Sequence, residues 1–286
     1  MSKKISIVVV TLNIDILRIF LESVKDINSK EVEMIIINQT QTCVENFVSK
    51  HVSIDYKIIN IQDILSASFA RNLGEESCTG EYVYFADDDC SFFNITNKDI
   101  GHFVDFINSH EYDVYVFPRG EIIDANFIIK NKIFPVFINC YNFPIYTIEW
   151  NVVIKRSLFR QFNGFKDIGT GSNHAAQSGE MFELFSNFFD KKIHLYKDIK
   201  VGHPSLIISN RVKFLRYEYG ASYAAGISIK NFSKNICKLY WLARGVFACF
   251  KYSFSIKNYN VSLIKFRAFF RGVSGIKPHS KSKIIE

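Results

Sequence analysis

The chain has 286 residues, of which 48% are hydrophobic and 22% charged, and its formal net charge is +7. It is long enough to bury the core of one large α/β domain and to carry an appendage. No stretch of about 18 apolar residues without a charge occurs, and a strand follows Met1-Ser2-Lys3-Lys4 directly, so neither a membrane-spanning helix nor a signal peptide is predicted. We therefore expect a cytoplasmic protein.

The two parts of the chain carry opposite charge. Residues 201–286 contain fifteen Lys and Arg but only Glu218 and Glu286, a net charge of +13, so residues 1–200 carry −6. A basic, aromatic-rich tail beside an acidic body favours contact of the tail with a polyanionic surface, either phospholipid headgroups or nucleic acid.

The six cysteines are scattered without the Cys-x-x-Cys spacing of a zinc site. Such a distribution predicts reduced thiols in packing roles rather than a disulfide framework. They are Cys43, Cys78, Cys90, Cys140, Cys237 and Cys249.

The first half of the chain alternates apolar strands with helices. Ile5–Val10 is a near-continuous apolar run of the kind found in parallel strands that are covered on both faces. The same pattern predicts helices at 15–27 and near 43–51, and strands at 34–37 and 56–60. This order predicts a doubly wound α/β sheet.

Polar residues follow the predicted strands at the points where they end. Thr11 and Asn13 follow the first strand, and Asn38 and Gln39 follow the second. In a doubly wound sheet the ligand crevice lies outside the carboxyl ends of the strands, so these residues are expected to meet at one rim.

Three consecutive aspartates follow the apolar strand 81–86. In an extended backbone Asp87 and Asp89 point to the same side, roughly 7 Å apart. At that distance two negative charges repel by about 2 kcal/mol at an effective dielectric near 20, so a cation is expected between them. Mg²⁺ and Mn²⁺ favour oxygen ligands and can neutralise a leaving diphosphate.

Several motifs, in this order and spacing, resemble family 2 glycosyltransferases of the GT-A fold. The resemblance covers about residues 4–205 and implies a Rossmann-like, mixed but mainly parallel sheet flanked by helices. It rests on the isoleucine-rich first strand ending in Thr11-Leu12-Asn13, the second strand ending in Asn38, Ala70-Arg71-Asn72-x-Gly74, Thr79-Gly80-Glu81-Tyr82-Val83 and Phe85-Ala86-Asp87-Asp88-Asp89.

The resemblance implies that a nucleoside diphosphate sugar lies across this rim. Thr11, Asn38 and Arg71 would contact the nucleoside, and Asp88 would contact the ribose or phosphates. In this family the second strand commonly ends in Asp, whereas this chain has Asn38 followed by Gln39. The predicted nucleotide-binding set comprises Thr11, Asn13, Asn38, Gln39, Arg71, Asn72, Asp87 and Asp88.

The resemblance also implies a metal site and a catalytic base. Asp89, supported by Asp87, would hold Mn²⁺ or Mg²⁺, and His203 is either a further ligand or a structural histidine. Family members place Glu-Asp at the start of a helix where this chain has Glu180-Met181, so Glu180 is the candidate base. Burial would have to raise the pKa of Glu180 towards the working pH.

Two residues are weaker candidates for the acceptor side. Trp150 lies in a segment resembling the acceptor strand of the family, which precedes the turn Asn163-Gly164-Phe165. It is either a platform for a sugar face or part of the core. Glu183 follows Glu180 by one helical turn and could share its face.

The tail is predicted to contain two apolar-aromatic helices with interspersed basic residues, at 236–252 and 261–271. They either lie in a membrane interface or pack on the catalytic domain with a solvated basic face. The predicted division is a catalytic domain at 1–205, with a nucleotide-sugar half at about 1–90 and an acceptor half at about 91–205, and a helical basic region at 206–286.

These observations predict a metal-dependent, inverting glycosyltransferase. It would move a sugar from a nucleoside diphosphate, with UDP favoured, to a glycan or lipid-linked glycan during assembly of a surface polysaccharide such as capsule or O-antigen. It would work as a peripheral protein at the inner membrane, and no nucleic acid partner is expected. One alternative is a nucleic-acid or phospholipid binding protein with a non-catalytic α/β body, and a nearer one is a sugar nucleotidyltransferase, although no Gly-rich phosphate loop follows the first strand.

Overall fold

The computed structural model describes residues 3–123, 126–129, 137–204, 210–250 and 259–284. Its centre is a seven-stranded sheet in the order β10-β6-β9-β4-β1-β2-β3. The strands are β1 (Ile5–Thr11), β2 (Val32–Asn38), β3 (Asp55–Asn60), β4 (Tyr82–Asp87), β6 (Val114–Val116), β9 (Val152–Lys155) and β10 (Ile193–Leu195). Only β9 runs antiparallel to its neighbours among these described pairs, so the predicted mixed, mainly parallel sheet is confirmed.

Helices on both sides of the sheet cover its faces. The apolar residues of β1 and β2 are buried on alternate sides in two separate clusters, which explains the continuous apolar runs in the sequence. The helices of this body are α1 (Ile14–Val24), α2 (Glu45–Val48), α3 (Ala67–Glu76), α4 (Asn97–Ser109), α5 (Phe143–Tyr146), α6 (Arg156–Gln161) and α7 (Glu180–Phe185).

The predicted strands and helices of the first ninety residues are present, with small shifts of their ends. The first helix ends at Val24 rather than near 27, and the helix expected near 43–51 is reduced to α2. The strand register sets Thr11 opposite Asn38 and Val10 opposite Asp87, which brings the carboxyl ends of β1, β2 and β4 to one rim.

A second, four-stranded sheet continues the fold beyond this rim. It has the order β5-β11-β7-β8, with β5 (Ser91–Phe92), β7 (Arg119–Ile123), β8 (Asn126–Ile129) and β11 (Val201–His203). Because β11 pairs with β5, which begins two residues after Asp89, it brings His203 back to the aspartates.

The basic tail is helical in its described parts, with α8 (Arg211–Ser228), α9 (Asn235–Phe250) and α10 (Tyr259–Val273). The helices α8 and α10 approach closely, since a Cβ at Gly226 would lie 2.2 Å from the Phe269 carbonyl oxygen and one at Gly272 would lie 2.4 Å from that of Tyr223. The predicted domain boundary at 205 lies outside the described residues. None of the described helices is long and apolar enough to cross a membrane.

One cysteine prediction is wrong. Cys140 and Cys237 form a disulfide with their Cα atoms 6.3 Å apart, and this bond links the segment before α5 to α9. Sequence spacing gave no sign of the pair because 97 positions separate the two residues and only the packing of the tail brings them together. Beside them, the Trp241 indole donates a 2.6 Å hydrogen bond to the Cys140 carbonyl oxygen.

Candidate active site

A cavity of about 700 Å³ opens at the carboxyl ends of the central strands. Its wall is formed by the ends of β1 and β4, the face of α3, the start of α7, the edge of β7 and one side of α8. Every residue of the predicted metal site lines it, together with six others from the predicted set. The predicted residues in the wall are Asn13, Gln39, Arg71, Asp87, Asp88, Asp89, Trp150, Glu180 and His203.

Asp87, Asp89 and His203 form a cluster in which one possible ligand atom from each lies within 4.8 Å of the others. The His203 Nε2 atom is 2.9 Å from Asp89 Oδ1 and 3.8 Å from Asp87 Oδ2. Burial disfavours the imidazolium, but the hydrogen bond to Asp89 and its charge, with the Pro204 carbonyl and the charge of Asp87, together outweigh this and raise the pKa of His203 to about 8. Two carboxylates and one imidazole are a donor set that suits Mn²⁺ and is compatible with Mg²⁺.

Trp150 is buried and stacks on His203, with ring centroids 5.3 Å apart and planes inclined by 16°. This contact fixes the orientation of the imidazole. Trp150 belongs to the packed core and also lines the cavity, so its packing role is present and its role as a sugar platform stays a prediction.

Arg71 joins the metal cluster to Glu180. It lies on α3 with its side chain buried, and it donates to Asp87 Oδ1 at 2.5 Å and to Glu180 Oε1 at 3.3 Å. Burial alone would lower the pKa of Arg71, but the surrounding carboxylates raise it above its usual range. The guanidinium thus stays charged and holds the two acidic groups in fixed relative positions.

Glu180 is the first residue of α7 and is only 6% exposed. Burial, followed by the charge of Glu149, raises the pKa of Glu180 to about 8. Its carboxyl group packs directly on Gly169, where a Cβ would lie 2.6 Å from the Glu180 Cδ atom. A buried carboxyl group with a pKa near neutrality, facing a cavity, has the properties of a general base.

Glu149 is a site residue that the sequence did not reveal. It is buried, lines the cavity, and accepts a 3.2 Å hydrogen bond from the Met181 backbone N–H. Burial raises the pKa of Glu149, with Arg71 opposing. The only available signal was a charged residue directly before Trp150 in the segment resembling the acceptor strand.

Asp88 and Thr11 are paired at the carboxyl ends of β4 and β1. The Thr11 hydroxyl donates a 2.7 Å hydrogen bond to Asp88 Oδ2, and burial raises the pKa of Asp88 to about 6. Asn13 caps α1, since its side chain accepts from the Asp15 backbone N–H at 2.8 Å. Gln39 accepts from the Leu65 backbone N–H at 2.6 Å while it faces the cavity.

Four predicted residues lie outside the cavity wall: Thr11, which reaches it through Asp88, and three others. Asn38 is buried and bonds to Asn60 Oδ1 at 2.8 Å, so it holds the ends of β2 and β3 together. Asn72 forms two 2.9 Å hydrogen bonds with the backbone of Phe165 and fixes the turn at Asn163-Gly164-Phe165. Glu183 is turned towards the tail, where it accepts from Asn231 Nδ2 at 3.2 Å.

The tail contributes directly to the cavity, which its basic composition did not suggest. Tyr217 and Ala221 of α8 form part of the wall. The Tyr217 hydroxyl lies 3.1 Å from Thr170 Oγ1, and its carbonyl oxygen accepts from Ser178 Oγ at 2.7 Å. The helix α8 therefore supports the loop that leads to Glu180.

The same loop is held from its other end by the segment after α10. The Ala175 backbone N–H donates to the His279 carbonyl oxygen at 2.8 Å, and His174 forms an isolated β-bridge with Ser280. The Gly169 backbone N–H bonds to the Ala176 carbonyl oxygen at 2.9 Å within the loop. The position of Glu180 thus depends on contacts within the loop that begins at Gly169 and on the contacts of this loop with His279 and Ser280.

Comparison with known proteins gives one family. The model of Glycosyl transferase family 2 matches residues 6–176, more than half of the chain. No curated protein sequence matches the chain.

Solved structures match almost the whole chain at low sequence identity. Residues 1–349 of S. aureus TarS in complex with UDP-GlcNAc give a TM-score of 0.70 at 15% identity, covering 94% of this chain and 81% of that one. The mannosyltransferase PcManGT from Pyrobaculum calidifontis, in complex with GDP-Man and Mn²⁺, gives 0.61 at 11% identity, covering 100% of this chain and 79% of that one. These matches confirm the predicted GT-A fold.

Proposed function

Because the chain belongs to glycosyl transferase family 2, and is thus a glycosyltransferase, we propose that it moves a sugar from a nucleoside diphosphate to an acceptor hydroxyl with inversion at the anomeric carbon. The single observation that carries this proposal is that the cluster of Asp87, Asp89 and His203 and the buried Arg71–Glu180 pair line one cavity. A rival role as a non-catalytic α/β scaffold leaves this arrangement without a purpose.

The donor side of the proposal concerns the rim residues. Asp87, Asp89 and His203 would hold Mn²⁺ or Mg²⁺, and the chemistry that a bound cation supplies is neutralisation of the departing diphosphate. Asp88, held by Thr11, would accept hydrogen bonds from the ribose hydroxyls, with Asn13 and Gln39 beside the nucleoside. The solved TarS structure contains UDP-GlcNAc, and this supports a UDP-sugar as the first donor to test.

The acceptor side of the proposal concerns Glu180. Its ionised carboxylate would take the proton from the acceptor hydroxyl as the oxygen bonds to the anomeric carbon and the bond to the diphosphate oxygen breaks. Arg71 contacts Glu180 and Asp87 together, so it would hold the base in a fixed position relative to the donor. Glu149 would keep the pKa of Glu180 high.

The proposed acceptor is a glycan or lipid-linked glycan in surface polysaccharide assembly, such as capsule or O-antigen. The proposed place of work is the inner face of the cytoplasmic membrane, where the enzyme would be a peripheral protein. Support for this comes from the charge of the tail, +13 over residues 201–286.

The decisive experiment measures UDP binding by calorimetry with and without Mn²⁺, in the wild type and in Asp89→Ala. We expect metal-dependent binding that the substitution abolishes. Glu180→Gln should bind UDP as the wild type does but transfer no sugar, whereas Glu183→Gln, one helical turn on and outside the cavity wall, should retain transfer. Failure of UDP, GDP, CDP and dTDP alike to bind would overturn the proposal, and weak UDP binding by Glu180→Gln would remove Glu180 from the role of base.

A further inference from the structure

The helix α9 is apolar on two opposite faces. One face, at four-residue spacing, is buried and consists of Cys237, Trp241, Gly245 and Cys249. The other face is exposed and also apolar, with Ile236 at 60%, Leu239 at 62% and Phe247 at 75% exposure, followed by Phe250. Trp241 is thus buried on one side of the helix, while Phe247 and Phe250 are exposed on the other.

The helix α10 has the same two-sided character. Its buried face includes Val261, Ala268 and Phe269 and packs towards α8 and α9. Its exposed face carries an apolar stripe whose spacing of four, three, four and three residues follows one side of a helix. The stripe consists of Tyr259, Leu263, Phe266, Phe270 and Val273.

The two helices form one packed unit. Gly245 of α9 lies against the ring of Phe269 of α10 so closely that a Cβ there would be 2.1 Å from a ring carbon. We call the two exposed apolar stripes, taken together, the tail face. Large apolar side chains exposed on neighbouring helices mark a surface that contacts an apolar partner.

The charges on these helices are of one sign. Lys234, Arg244 and Arg267 are exposed beside the apolar stripes, and Lys238 and Arg271 are partly exposed. The last acidic residue before Glu286 is Glu218, on α8, where it is paired with Lys265. The partner of the tail face must therefore offer both an apolar layer and negative charge, as an anionic lipid bilayer does.

We infer that the tail face is a membrane-docking surface, on which α9 and α10 lie in the interface of an anionic bilayer with their apolar stripes inserted and their basic residues against the phosphates. A second copy of the chain offers apolar surface but brings the same positive charge, so it is disfavoured as the partner. The sequence left open whether these helices pack on the catalytic domain or meet a membrane. In the structure, one face of each helix packs on the rest of the protein, and the opposite, exposed face is suited to a membrane.

This inference gives the membrane partner of the proposed function a defined surface, but it is independent of the transfer reaction. Asp89→Ala should therefore bind vesicles as the wild type does even though it loses the nucleotide. Normal UDP binding by the wild type together with failure of the vesicle test below would overturn only the tail inference. Vesicle binding by a wild type that binds no nucleoside diphosphate would overturn only the proposed function.

The test is co-sedimentation of the full chain with vesicles of phosphatidylcholine alone or with about one third phosphatidylglycerol. We expect binding only to the anionic vesicles, weakened roughly tenfold or more by raising the salt from 0.1 to 1 M, since the Debye length falls from about 10 to 3 Å. Leu239→Ser combined with Phe247→Ser should reduce the affinity by roughly tenfold or more, because it removes two inserted side chains. The matched control Ile64→Ser, which removes a side chain 72% exposed in the body, should bind as the wild type does.

A second variant tests the charge. Lys234→Gln combined with Arg267→Gln should weaken binding to anionic vesicles and reduce its salt dependence, and retained UDP binding would verify that each variant is folded. Equal binding to neutral and anionic vesicles, or no binding to either, would overturn the inference. So would dimers, seen by light scattering in the wild type, that the Leu239→Ser and Phe247→Ser variant no longer forms, because the tail face would then join two copies of the chain.

Discussion

Replacing Glu180 with Gln is expected to stabilise the protein while abolishing transfer. Burial and Glu149 raise the pKa of Glu180 from 4.5 to about 8, so between these values the folded state binds more protons than the unfolded state. Stability contributed by this group is then present below pH 4.5 and is lost as the pH rises to about 8. At 1.36 kcal/mol for each pKa unit, the loss between pH 5 and pH 7.5 is about 3 kcal/mol.

The assay is urea unfolding followed by fluorescence, since both tryptophans, Trp150 and Trp241, are buried. The free energy of unfolding of Glu180→Gln minus that of the wild type should increase by about 3 kcal/mol from pH 5 to pH 7.5. Burial also raises the pKa of Glu183, so Glu183→Gln should show a change of the same sign while keeping transfer activity. A difference for Glu180→Gln that stays constant over this pH range would refute the reasoning.

Three further predictions concern the same region. The transfer rate of the wild type, followed by release of the nucleoside diphosphate, should rise with pH up to about 8 as Glu180 loses its proton, and a rate that falls from pH 6 upwards would contradict this. Gly169→Ala, at a φ of 109°, would push a Cβ into the Glu180 carboxyl group. It should lower kcat by roughly tenfold or more with little change in the UDP affinity measured by calorimetry, and an equal loss of UDP affinity would contradict this prediction. Asn72→Ala removes two hydrogen bonds to Phe165 and should lower the free energy of unfolding by about 1–3 kcal/mol, so an unchanged urea midpoint would show that the turn does not need them.

The sequence predicted the first ninety residues of the fold well because the information there is local. Apolar strands that end in polar residues mark their own carboxyl ends, and parallel pairing brings those ends together. The positions of Thr11 and Asp87 at one rim follow from this pairing, whereas Arg71 reaches Asp87 from α3. The contact of His203 with Asp89 required one more long-range pairing, between β11 and β5, that the family resemblance supplied.

The region around Glu180 was predicted less well because its residues are positioned by distant parts of the chain. Helical periodicity predicted that Glu183 could share a face with Glu180. In the structure, the Glu183 side chain instead accepts a hydrogen bond from Asn231 of the tail. Glu149 affects the pKa values of Arg71 and Glu180 because it is buried close to both of them, and composition does not reveal such burial. The wall residue Tyr217 and the disulfide between Cys140 and Cys237 both depend on how the tail packs.

The attachment of the Glu180 loop to His279 has a consequence for the order in which activity appears during synthesis. The strands β1, β2 and β4, which end at Thr11, Asn38 and Asp87, are synthesised long before residue 279, and folding during synthesis begins with the N-terminal part of a chain. A nascent chain that ends before His279 lacks the hydrogen bond at Ala175 and the bridge at His174. Under the proposed function, such a chain would acquire its nucleotide-binding residues before its proton acceptor is fixed in place, so it would bind donor without consuming it.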